Sequence, residues 1–97
     1  MKISEVTTES IINYLRLDEP TEIEEAEVER MAEGAISFIT GYTGLTEEQL
    51  DEFDDITDAY YIIVADKFDN RNLQTEKEYH INKMAKAILD LHSVNLL

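Results

Sequence analysis

Residues 58–66 read DAYYIIVAD, and this stretch decides whether the chain folds with helices alone or includes a β-sheet. Its centre is apolar on every side and rich in β-branched residues, so a buried strand and a buried helix both fit the pattern. Asp55 and Asp58 are typical of the beginning of a helix, and no other segment offers a partner strand. We therefore predict a helix from about Asp55 to Asn70.

The segment before this stretch has the clearest helical pattern in the chain and predicts a helix from about Thr21 to Thr40. Its apolar residues recur at spacings of three and four, which places them on one face: Val28, Met31, Ala32, Ala35, Ile36 and Ile39. Glutamates fill the first two turns, where they favour the positive end of the helix dipole. Gly41 is expected to end this helix.

Shorter helices are predicted on either side of these two. One runs from about Thr8 to Leu17 and ends there because Pro20 disfavours the helical conformation in the residue before it. Another follows Thr46, which forms a capping-box pattern with Gln49.

The last predicted helix runs from about Thr75 to His92. Its expected apolar face consists of Tyr79, Ile81, Met84, Ala85, Ile88 and Leu91. Together the segments predict an all-α fold, a compact bundle of about four to five helices, in a single domain spanning residues 1–97.

The composition limits the classes of function. Of 97 residues, 22 are acidic and 8 are basic, which gives a formal net charge of −14. With so few basic residues, the chain is not expected to bind a phosphate backbone or an anionic membrane surface. The chain has no cysteine, so disulfides and thiolate zinc sites are excluded, and its longest apolar run, Ala59 to Ala65, is too short to cross a bilayer. We expect a small, soluble, intracellular domain.

Three patterns hint at catalytic or metal chemistry, and each fails on inspection. Residues 54–58, DDITD, match the aspartate-rich pattern with which isoprenoid synthases hold magnesium and diphosphate, but a domain this small cannot build their deep cavity. An EF-hand loop beginning at Asp51 would have Ile56 in place of its glycine and Ile62 in place of its final glutamate. His80 with Glu76 supplies at most two metal ligands. We expect no enzymatic activity, metal or cofactor.

Charge is distributed unevenly along the chain. The candidate acidic surface, taken from the two acid-rich stretches, consists of Glu22, Glu25, Glu29, Glu33, Asp51, Asp54 and Asp55. Most of the basic residues fall in one later stretch, and they are Lys67, Arg71, Lys77, Lys83 and Lys86. Two explanations stay open: ordinary solvated helix faces, or a polar molecule whose copies meet head to tail, a type of contact that closes into rings.

Three short phrases close three of the predicted helices. They are residues 12–18 (INYLRLD), residues 38–44 (FITGYTG) and residues 67–71 (KFDNR). In these phrases, and in the loop and final helix that follow the third one, the chain resembles the small head–tail connector, or head completion, proteins of tailed bacteriophages. The third phrase is close to that family's aromatic–acid–Asn–Arg phrase, and the resemblance covers nearly the whole chain.

The resemblance implies a structural protein of the virion. Members of the family assemble as a ring, typically twelve-fold, below the portal protein at the head–tail junction, after synthesis in the host cytoplasm. The ring extends the DNA channel, and it docks the adjoining adaptor or tail protein. An acidic channel repels the phosphate backbone, so DNA passes through it without sequence-specific binding.

Candidate contacts with other copies or with partners lie towards the C-terminus. Arg71 can form a bidentate salt bridge with a carboxylate in the fold or in a neighbouring copy, or it serves only as a cation at a helix C-terminus. Lys67, Lys83 and Lys86 are candidates for charge pairing with the acidic half of a neighbouring copy. The apolar tail residues Val94, Leu96 and Leu97 either pack on an adjacent copy or on the portal, or fray.

Two rival functions fit the composition. An acidic mimic of DNA that blocks a nuclease or a restriction enzyme is also small, helical and strongly negative. A helical interaction module of a host regulator is the other alternative, and nothing in the sequence excludes it.

Overall fold

The computed structural model describes residues 1–70 and 81–94 of the chain. A single 3₁₀ turn at Ile3–Glu5 precedes five α-helices, and the described residues contain no strand. The helices are α1 (Thr8–Leu15), α2 (Glu22–Thr43), α3 (Glu47–Leu50), α4 (Asp54–Asp69) and α5 (Lys83–His92). The molecule measures 42 × 31 × 19 Å. The prediction of an all-α bundle of four to five helices is confirmed.

The central helix of the bundle is α4, which packs on α1, α2 and α5. Ile56, Ala59, Ile63 and Val64 are fully buried in it, so the run that also fitted a strand is a helix with a wide apolar surface. Burial of each large aliphatic side chain contributes about 1.5–3 kcal/mol, which makes α4 the main source of the core's stability. Tyr61 holds α1 to α4, since its ring stacks on Tyr14 at 4.9 Å between centroids.

Three threonines begin three of the helices with reciprocal capping bonds. The Thr7 Oγ accepts from the N–H of Ser10 at 3.1 Å, and the Thr21 Oγ accepts from the N–H of Glu24 at 3.1 Å. The predicted capping box at Thr46 is confirmed, since the Gln49 side chain accepts from the N–H of Thr46 at 2.9 Å. Such caps contribute about 1 kcal/mol each, which accounts for the sharp starts of α1, α2 and α3.

Helices α1 and α2 end at other residues than the sequence predicted. Helix α1 stops at Leu15, because Arg16 adopts the left-handed conformation (φ 59°) and not because of the proline further along. Helix α2 continues through Gly41 and ends at Thr43, where Gly44 takes the left-handed conformation (φ 78°) and its N–H donates to the Thr40 carbonyl. Full burial of Thr43 favours the longer helix.

The predicted start of the last helix was wrong, and its predicted apolar face was confirmed only in part, since Ile81, Ala85 and Ile88 pack on the core. Helix α5 begins at Lys83, because the Asn82 side chain caps it by accepting from the N–H of Met84 at 2.8 Å. Ala85 and Leu89 are buried against the bundle, whereas Met84 and Leu91 are 66% and 76% exposed. Residues 75–80 of the predicted helix lie outside the described residues.

Candidate interaction surfaces

The glutamates predicted on α2 form one row on its outer face, which we call the α2 row. Its members are Glu22, Glu25, Glu29 and Glu33. All four are exposed, and none of them makes an ion pair within residues 1–70 and 81–94. The row therefore presents unneutralised carboxylates to whatever approaches this helix.

The three predicted aspartates lie elsewhere and form a second group, the α4 group, around the beginning of α4. Asp51 accepts from both the backbone N–H (3.0 Å) and the hydroxyl (2.7 Å) of Ser4. Asp54 lies 3.5 Å from the α-amino group of Met1. Asp55 accepts from His92 of α5. The predicted acidic surface thus divides in two, and in the second part each aspartate contacts a group distant in sequence.

The contacts of Asp51 shift the pKa of its carboxyl group. The two donors from Ser4 stabilise the charged carboxylate, and Lys2 adds a smaller attraction. They hold the pKa of Asp51 below its ordinary value of 3.8. Since the contact joins residue 51 to residue 4, it anchors the first turn of the chain beside α3.

The contact between His92 and Asp55 was missed by the sequence prediction. The His92 Nε2 lies 2.8 and 2.9 Å from the two carboxylate oxygens, so the proton is on Nε2 and is donated to Asp55. The imidazole also stacks on Phe53, with 4.1 Å between ring centroids. The pair joins the last turn of α5 to the first turn of α4, where the two helix dipoles favour a cation and an anion respectively.

The predicted basic contacts have different surroundings. Lys83 is exposed at the first position of α5 and has no ion pair among the described residues. Lys86 binds Asp90 one turn later, with 2.7 Å between Nζ and Oδ2. Lys67 is half-buried and lies against α2, where a Cβ on Gly34 would stand 3.9 Å from its Nζ. Arg71, the strongest single candidate, lies outside the described residues, as does Lys77.

Lys86 belongs to a cluster that joins α5 to the end of α2. The Tyr42 hydroxyl donates to Asp90 at 2.6 Å, so this carboxylate receives both a tyrosine and a lysine donor. The Lys86 and Tyr42 bonds lower the pKa of Asp90 below 3.8, and the bond to Asp90 raises the pKa of Lys86 above 10.5. The hydrogen bond to Asp90 also raises the pKa of Tyr42 above 10.0. Lys86 is thus already paired within its own chain.

The beginning of the C-terminal tail is tied to α2. The N–H of Val94 donates to the Thr43 carbonyl at 2.7 Å, and the Ser93 hydroxyl lies 3.3 Å from the Tyr42 carbonyl. The backbone at residues 93 and 94 is therefore not frayed, although the Val94 side chain is 58% exposed. Leu96 and Leu97, the other two candidates in the tail, lie outside the described residues.

A shallow groove of about 280 Å³ lies between α1, α2 and α4. It is lined by Thr8, Glu29, Ala32, Glu33, Ile36 and Tyr60. Tyr60 is almost entirely buried, and removal from water raises the pKa of its hydroxyl above 10.0. The groove combines an apolar floor with two carboxylates, a lining that suits the alkyl stem and charged head of a basic side chain.

The described residues hold no group of three or more histidine, aspartate or glutamate side chains placed to bind a metal ion. Within the same part of the chain, no helix combines the length and the apolar character needed to span a membrane. Comparison of the chain with protein-family models, with curated proteins and with solved structures gives no match.

Proposed function

We propose that the chain is a structural virion protein of the head–tail connector kind, which forms a ring below the portal, extends the DNA channel and docks the next adaptor or tail protein. It is synthesised in the host cytoplasm and is located at the head–tail junction of the virion. The proposal assigns it no catalytic reaction and no cofactor. Its partners are other copies of itself, the portal protein and the adjoining tail protein.

The observation that carries this proposal is the separation of unpaired charge over the outer surface. The α2 row presents carboxylates without an ion pair in the described residues, while Lys83 presents an unpaired cation on α5. A subunit of a ring needs two different surfaces that fit each other, because heterologous contacts close into rings. Opposite charge on the two surfaces sets which of them meet and speeds their encounter.

The phrases behind the resemblance give a second line of support. The described part of each lies at the C-terminus of a helix: residues 12–18 at α1, residues 38–44 at α2 and residues 67–70 at α4. Arg16 and Gly44 supply left-handed caps, and the Asn70 side chain donates to the Asp66 carbonyl at 2.8 Å. The phrases therefore set the lengths of the three helices, which is the kind of constraint a shared fold imposes.

The test is the solution mass of the chain, measured by light scattering after gel filtration over a range of protein concentrations at low and high salt. We expect a discrete ring of about a dozen copies that weakens as salt screens the charges. The charge variant is Lys83→Glu alone, since Lys86→Glu would also break the bond to Asp90. Lys2→Glu makes the same change of net charge away from α5 and serves as the control.

We expect Lys83→Glu to shift the ring towards monomers at low salt and Lys2→Glu to leave it unchanged. An unchanged ring in both variants would contradict the charge-pairing explanation. A monomer at every concentration would remove self-assembly from the proposal.

The α2 row favours one other function, mimicry of DNA. Its carboxylates recur at an average of about 5.5 Å along the helix, so they form a line of negative charge of the sign that a phosphate backbone presents to a basic cleft. The discriminating assay is inhibition of a restriction nuclease at stoichiometric concentration. Inhibition that disappears when all four glutamates become glutamine would favour the mimic, and no inhibition would favour the connector.

A further inference from the structure

Helix α5 has a second apolar side that faces away from the bundle. Met84, Ala87 and Leu91 are exposed on it, at spacings of three and four residues that place them in one stripe. A helix that is apolar on both sides is typical of an element that is buried on both sides in its working state. This stripe therefore needs a partner that covers it.

One edge of that stripe carries a net positive charge. Lys83 and Lys86 flank Ala87 on the side opposite Met84 and Leu91. Asp90 lies between the two lysines and pairs with Lys86, so Lys83 is the unpaired charge of this edge among the described residues. Residues 83–86 contain no acid, whereas every other α-helix of the described chain has an acid in its first turn. A lysine at the first position of a helix is unfavourable within the subunit, because it meets the positive end of the dipole. The partner of this face is thus expected to be acidic.

The outer face of α2 has the matching features. Ala26 lies at its centre and is exposed, with Ile23 (75% exposed) and the exposed Arg30 on one edge. The α2 row follows the other edge. Each of the two faces therefore has a small alanine in the middle and an exposed apolar side chain on one edge. The net charges are opposite, because Lys83 is the unpaired charge on α5 and four glutamates outnumber Arg30 on α2.

The lengths and the handedness of the two faces also agree. Helix α5 is about 15 Å long, and the α2 row spans about 16 Å. Viewed down either helix, the apolar edge lies on the same side of the central alanine. When two helices pack face to face, the edges that lie on the same side of each helix meet only if the helices run antiparallel. With Ala87 opposite Ala26, antiparallel packing places Leu91 beside Ile23 and Lys83 beside Glu29 and Glu33.

We infer that the outer face of α5 in one copy packs antiparallel on the outer face of α2 in the next copy. The inference rests on the proposed function, since it supplies the contact between subunits of the ring. The two faces are different surfaces of one chain, so the contact is heterologous and leaves a free face of each kind for further copies. The groove between α1, α2 and α4 then receives a lysine stem beside Glu29 and Glu33.

Disulfide cross-linking tests this contact directly, because the natural chain contains no cysteine. The variants are Ile23→Cys and Leu91→Cys, oxidised separately and as an equimolar mixture. We expect a covalent dimer in the mixture and none with either variant alone. Glu9→Cys, at an exposed position on α1, replaces Ile23→Cys in the control mixture and is expected to give no dimer.

The other outcomes overturn the inference in distinguishable ways. A dimer of Leu91→Cys alone would mean that α5 pairs with α5. A ring-sized mass by light scattering without cross-linking in the mixture would overturn this contact and leave the proposed function standing. A chain that stays monomeric and blocks a nuclease would overturn both.

A charge exchange measures the same contact without cysteines. Lys83→Glu is expected to reduce assembly, and Glu33→Lys in the same chain is expected to restore it, because the two positions face each other. Glu22→Lys, at the other end of the α2 row, is the matched control and should not restore assembly. Equal rescue by both lysines would contradict the antiparallel register.

Discussion

The α2 row and the α4 group carry the same sign of charge in opposite relations to the fold. Each aspartate of the α4 group contacts a distant segment: Asp51 binds Ser4, Asp54 lies near the Met1 amine, and Asp55 accepts from His92. The glutamates of the α2 row have no ion pair among the described residues. The comparison teaches that acidic residues of one chain can differ in their relation to the fold, since one group contacts distant segments and the other has no ion pair among the described residues.

The largest effect is expected at the α4 group, from His92→Ala. This change removes the stacking on Phe53 and leaves Asp55 without its donor, so we expect a loss of about 2 kcal/mol in the free energy of unfolding. Urea denaturation followed by circular dichroism measures it. The double variant with Asp55→Ala should lose less than the sum of the two single variants, because the residues act as a pair. Simple additivity would mean that the contact contributes nothing.

The next effect is a change in acid sensitivity at Asp51. A carboxyl whose pKa is lowered on folding contributes stability above its unfolded value of 3.8, and that contribution is lost as the pH falls through the lower folded value. Ser4→Ala removes the 2.7 Å hydroxyl donor, so the pKa of Asp51 should rise towards 3.8 and the loss should begin at a higher pH. Carboxyl chemical shifts in an NMR titration follow Asp51 directly. Ser37→Ala, at an exposed position on α2, is the control and should leave that titration unchanged.

Local patterns predicted the helices well and their contacts poorly. The helical state of residues 54–69 and the capping box at Thr46 follow from residues within a few positions of each other. The faces of α5 do not, because residues 84–91 are apolar on both sides and only packing on α4 decides which side is buried. Similarly, Gly41 was predicted to end α2, but the helix continues to the buried Thr43 and Gly44 supplies the left-handed cap.

The division of the acidic surface could not be predicted for the same reason. Asp55 and His92 are 37 residues apart, and Asp51 and Ser4 are 47 apart, so no spacing rule connects either pair. The four glutamates of α2 share one face of the helix, because a spacing of three and four residues within one helix is a local property.

The smallest expected effect has the opposite sign and lies in the α2 row. Glu29 has a like charge four residues away on each side, at Glu25 and Glu33, and each such pair destabilises a helix slightly. Glu29→Gln should therefore raise the free energy of unfolding by about 0.5 kcal/mol at low salt. The gain should shrink in high salt, which screens charges on an exposed helix face.

Glu33→Gln is the matched variant, since it relieves one repulsion but also loses the attraction of Arg30 one turn earlier, and we expect almost no change from it. If Glu29→Gln instead destabilised the protein, Glu29 would have a structural partner and the two acidic regions would not differ in kind. A gain in stability that accompanies weaker assembly would show that this charge is kept for the contact between copies at the expense of the isolated subunit.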